Sequence, residues 1–137
     1  MMHWLLAIPV PAFVLLLYDA LVVWRGSPAA TLTAKVISAS LASGAVFTLT
    51  VGELLVLLGV FAMFIEIVKA TRSSMASAVD HALSALVFTA YLIEFLLVQA
   101  AGTGVFLVLT LVSLLDLIAG FTVTLGAARR DLTIERL

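Results

Sequence analysis

Residues 80–130 read DHALSALVFTAYLIEFLLVQAAGTGVFLVLTLVSLLDLIAGFTVTLGAARR. Two apolar runs, Ala82 to Gln99 and Val105 to Leu125, flank the turn Ala101-Gly102-Thr103-Gly104. Each run is close to the ~20 apolar residues with which a helix crosses about 30 Å of hydrocarbon. The connection is short enough to make the two helices antiparallel neighbours. Each run also carries an acid, Glu94 or Asp116, where water is scarce, so the stretch predicts a membrane hairpin with buried carboxylates.

Composition extends that reading to the whole chain. Of 137 residues, 64% are hydrophobic and 11% are charged, against roughly 45–50% and 25% in soluble domains. A water-soluble core cannot absorb so much apolar surface. The expected fold is all-α: a single transmembrane domain over residues 1–137, built as an antiparallel up-down four-helix bundle with its third and fourth helices as a tight hairpin. Spans are expected near residues 4–24, 45–68, 82–100 and 105–126. The net charge of −1 excludes a nucleic-acid surface, which needs clustered Lys and Arg. Without cysteine, disulfides, thiolate zinc sites and iron–sulfur clusters are excluded.

The first span runs between Trp4 and Trp24, whose separation of roughly 30 Å along a helix fits belts at the two interfaces. Met1-Met2-His3 lacks the basic start of a cleaved signal peptide, so the span is expected to be retained. Pro9 and Pro11 should kink the helix or delay its start. Arg25-Gly26-Ser27-Pro28 stops it. Residues 29–44, rich in Ser, Thr and Ala, are expected to lie at the interface or to extend the second helix, and the polar connection from Lys69 to Ser77 follows the second span. Lys69, Arg72, Arg129, Arg130 and Arg136 collect on one side, against Arg25 and Lys35 on the other. The positive-inside rule then places both termini in the cytoplasm, as for a bacterial inner-membrane protein. Trp4, Trp24, Arg129 and Arg130 are the expected interface anchors.

Of the eight acids, Asp19, Glu53, Glu94 and Asp116 fall well within the expected spans, and Glu66 stands near the end of the second. An ionised Asp at the bilayer centre costs about 2.5–3.5 kcal/mol on insertion scales, so such groups face a bundle interior. Tyr91 shares a stripe with Glu94, and Ser113 shares one with Asp116. The expected polar cluster is therefore Asp19, Glu53, Tyr91, Glu94, Ser113 and Asp116, acting either as interhelical hydrogen-bonding glue or as a proton or cation site. Gly44, Gly52, Gly59 and Gly120 supply small faces for close helix packing. Glu66 and Lys69, three residues apart, read as a helix-surface pair.

His81 has only His3 as a possible histidine partner, so no metal or haem is expected and no cofactor is implied. No phosphate loop, zinc-protease pattern or nucleophile elbow occurs, so no catalytic residues are assigned. These features lead to an expectation of a non-enzymatic membrane protein. Its partners would be the lipid bilayer and other copies or another membrane protein, with no nucleic acid. It would act by helix association as a homo-oligomer or accessory subunit, or alternatively as a proton-coupled or cation transporter using its carboxylates.

Overall fold

The computed structural model describes residues 8–71 and 76–134, and for 76–78, 124–125 and 127–134 only the backbone. Trp4 and Arg72 lie outside the described residues, as do the side chains of Arg129 and Arg130. Helix α1 covers Val10–Tyr18 and widens into π-helical turns over Asp19–Val23; a short α2 covers Pro28–Thr33. Strands β1 (Lys35–Ser40) and β2 (Val46–Thr50) form an antiparallel ribbon. Helices α3 (Val51–Ala70), α4 (Ala76–Leu97) and α5 (Gly104–Ile134) complete the chain, with a 3-10 turn at Gln99–Ala101 between the last two.

Within α3, α4 and α5 lie three segments long and apolar enough to cross a membrane: Val51–Ala70, Val79–Leu97 and Gly104–Val123. This is the architecture of an integral membrane protein. A fourth crossing is not shown. The described apolar helix from Val10 to Val23 extends only about 20 Å at 1.5 Å per residue, short of a full crossing, and residues 4–7 of the expected first span lie outside the described residues.

A correction concerns residues 29–50, which do not extend the second helix. Val36-Ile37 and Val46-Phe47-Thr48 are β-branched and aromatic runs that favour strands. Between them Gly44 takes φ of +83°, a conformation open to glycine at little cost. Gly44 is thus a turn residue and not a packing residue. A capping box then starts α3 at Val51: Glu53 N–H donates to Thr50 Oγ1, and Thr50 N–H donates to Glu53 Oε2 at 2.8 Å. The second span is therefore Val51–Ala70 and not 45–68.

The core is centred on aromatic side chains. Phe106 lies against Tyr18, ring centroids 4.7 Å apart and edge-on, and against Tyr91 at 5.4 Å. In lipid such van der Waals packing takes over much of the role that hydrophobic burial has in water. Gly52 and Gly59 on α3 face α5: a Cβ on Gly52 would meet Val105 at 2.9 Å, and one on Gly59 would meet Leu109 at 2.6 Å. Leu55 and Ala62 are buried on the same α3 face, and Glu66 continues it.

Candidate functional site

Two polar clusters lie at different levels of the helices. Toward the ribbon end, Tyr18 on α1 places its hydroxyl 3.1 Å from the Ala100 carbonyl and 2.8 Å from Thr103 Oγ1. Thr103 Oγ1 also accepts the Phe106 N–H, so this contact fixes the start of α5. One residue along, the Asp19 carboxyl lies within electrostatic reach of the Glu94 carboxyl on α4. Asp19 Oδ1 is buried without a hydrogen-bond partner among the described residues. Tyr18 and Tyr91 both lie within electrostatic reach of this carboxyl pair. Above it an open cleft of about 670 Å³ is lined by Gly26, Pro28, Gln99, Gly102 and Thr103.

The opposite cluster gathers α3, α4, α5 and the start of α1. Glu66 Oε1 accepts the Val10 N–H at 2.7 Å and the Lys69 ammonium at 2.9 Å. Lys69 is 23% exposed, whereas Glu66 is only 7% exposed, so the expected surface pair is instead a half-buried bridge that fastens α1. Helix starts leave N–H groups without intrahelical partners, and those groups are costly to leave unpaired in a membrane. Here Val10 donates to Glu66, Pro11 has no N–H, and Ala12 donates to the Pro9 carbonyl at 3.0 Å. Tyr91 reaches the same turn from α4, its hydroxyl donating to the Pro11 carbonyl at 3.0 Å.

Asp116 on α5 is buried and lies within electrostatic reach of Glu66 and Lys69. It lines a cavity of about 20 Å³ with Glu66, Lys69, Asp80, His81 and Ser84, room for one water molecule and polar enough to hold it. The His81 ring stacks on Phe121 at 5.0 Å and lies where a Cβ on Gly120 would stand, 2.8 Å from His81 Cε1. Among the described residues no three His, Asp or Glu side chains group as a metal site.

The expected cluster is thus brought together only in part. Asp19, Glu94 and Tyr91 lie within electrostatic reach of one another; Asp116 lies in the other cluster. Glu53 does not join either, because it is exposed and engaged in capping α3. Ser113 is buried but donates to the Thr110 carbonyl of its own helix at 2.8 Å, so it is not interhelical glue. Trp24 is 83% exposed, open to an interface.

Glu66, Tyr18 and His81 belong to these clusters although they stand outside the polar set expected from the sequence. For Glu66 a signal exists: it stands one heptad after Gly59 and two after Gly52, on the stripe that packs inward.

Comparison with family models, curated proteins and solved structures finds no match.

Proposed function

We propose that this membrane protein transfers protons, using Asp19–Glu94 and Glu66–Asp116 as two stations and α1 as the element held between them. The observation that carries the reading is the buried, unpartnered Asp19 Oδ1, whose carboxyl lies within electrostatic reach of Glu94. Two ionised carboxylates repel, so a close pair is stable when a proton lies between them. A site that holds one proton between two acids is suited to exchanging it.

The flanking geometry supports the same direction. The cleft is lined by Thr103, whose Oγ1 meets the hydroxyl of Tyr18 next to Asp19, and the water-sized cavity adjoins Asp116 and Glu66. Between them the route is closed by Tyr91, which is bonded to the Pro11 carbonyl. A carbonyl cannot pass a proton on, so transfer across the seam requires α1 to move. The balance of basic residues favours the end where α3 stops as the cytoplasmic side of a bacterial inner membrane.

Association between chains ranks second for a specific reason. Gly52, Gly59 and Gly120, on which that expectation rests, are occupied by Val105, Leu109 and His81 of the same chain.

The test is proton flux into liposomes carrying the protein and a trapped pH-sensitive dye, driven by a potassium diffusion potential. Flux should exceed that of protein-free liposomes, and Glu94→Gln and Asp116→Asn should each lower it at least about tenfold. A rate equal to that of protein-free liposomes, or one untouched by both substitutions, overturns the proposal.

A further inference from the structure

The β1–β2 ribbon has two chemically different faces. Its register places Ile37 opposite Leu49 and Ala39 opposite Phe47, giving one apolar face, since directly opposed residues share a face. The alternate pairs, Ser38 with Thr48 and Ser40 with Val46, make the other face rich in hydroxyls. Every β1 residue is exposed. Ile37 is 53% and Phe47 47% exposed, while Leu49 at the base is half-buried, so the described bundle leaves the outer part of the apolar face open. A lone two-stranded ribbon is at best marginally stable in water. Something must cover this one.

The junction with α3 indicates what does. Val51 N–H donates to the Ala34 carbonyl at 2.9 Å, closing the base of the ribbon where an apolar helix long enough to cross a membrane begins. No linker separates the two. The exposed apolar surface of α3, with Leu57, Phe61 and Phe64, therefore leads directly into the ribbon. Lys35 stands at the ribbon's base, and the exposed Trp24 belongs to the same end of the molecule. Lys and Trp are residues that anchor at headgroup level.

We propose that the ribbon lies on the lipid surface, its Ile37, Ala39, Phe47 and Leu49 face sunk to the headgroup–acyl boundary and its hydroxyl face in water. This makes the ribbon a second, interfacial anchor beside the spanning helices, independent of whether the protein moves protons.

The experiment uses the full chain in liposomes with Trp4 and Trp24 replaced by Phe and one new tryptophan, either Phe47→Trp or, on the opposite face, Thr48→Trp. Lipids brominated on their acyl chains should quench the Phe47→Trp protein about twofold or more strongly than the Thr48→Trp protein, as burial of ~5–10 Å into the interface requires. Aqueous iodide should show the reverse order. If Phe47→Trp does not fold, Ile37→Trp reports the same face. Equal quenching of the two faces overturns the proposal. So does protection of the Phe47→Trp indole that arises only at high protein-to-lipid ratio, which would make a second copy the occupant.

Discussion

Glu66 Oε1 lies 2.7 Å from the Val10 backbone nitrogen, a carboxylate of one helix capping the first N–H of another. Both groups lie inward from the end of α3, where water is scarce, so removing Glu66 would leave the Val10 N–H unpaired and Lys69 without its carboxylate. Glu66→Ala should destabilise the protein by about 3 kcal/mol, the loss typical of breaking a buried charged hydrogen bond. Glu66→Gln, which can still accept from Val10 but loses the ion pair to Lys69, should recover at least half. Unfolding in mixed detergent micelles measures both. Equal stability of the alanine variant and the parent would mean that α1 is fastened elsewhere.

The α3–α5 contact makes a graded prediction. A Cβ at Gly59 would come within 2.6 Å of Leu109, a side chain only 1% exposed and so with little room to retreat. Gly104 has nothing within 4 Å of its added Cβ. Gly59→Ala should cost about 1–3 kcal/mol, as overpacking a fitted core does, and Gly104→Ala should be near neutral. Melting temperatures of the two variants in one detergent decide the matter. A Gly59→Ala protein as stable as Gly104→Ala would mean that the helices part at no cost.

The hairpin of α4 and α5 is legible in the sequence because its apolar runs have the length of a bilayer crossing and its turn holds two glycines. The inward polar stripe of α5 is legible for a related reason: helical spacing puts Ser113, Asp116 and Gly120 on one face, and all three are buried. The ribbon is not legible by the same means. Residues 35–50 are apolar enough to pass for part of a helix, and only β-branching and one glycine distinguish them. Local spacing does mark Glu53 as serving its own helix end, since Thr50-Val51-Gly52-Glu53 has the capping-box pattern, and it puts Glu66 on the inward stripe, but it does not reveal that Glu66 reaches another chain segment. That contact depends on where α1 begins, which Pro9 and Pro11 indicate only loosely.

The capping box separates structural from proton-handling acids. Thr50→Ala removes the oxygen that accepts the Glu53 N–H and should cost about 1 kcal/mol, as loss of an N-cap does. Glu53→Gln should leave proton flux unchanged, because Glu53 stands apart from both clusters. Dye-loaded liposomes and a thermal melt test the pair. A flux lost with Glu53→Gln would put this acid back among the functional ones and count against the two-station arrangement.

Tyr91 offers the sharpest test of α1 as the moving part. Its ring packs against Phe106 at 5.4 Å and its hydroxyl holds the Pro11 carbonyl at 3.0 Å, so Tyr91→Phe removes the tie while keeping the packing. The loss should cost only about 1 kcal/mol, the usual net worth of one hydrogen bond. If α1 must shift for protons to pass, loosening it should raise the flux several-fold, by about the factor that 1 kcal/mol allows. The double variant Tyr91→Phe with Glu94→Gln should then fall to the background of protein-free liposomes, because a looser helix cannot replace the missing carboxyl. A fall in flux with Tyr91→Phe alone would give the hydroxyl a different role, as a relay between Glu94 and the lower station. An unchanged rate would remove α1 from the mechanism altogether.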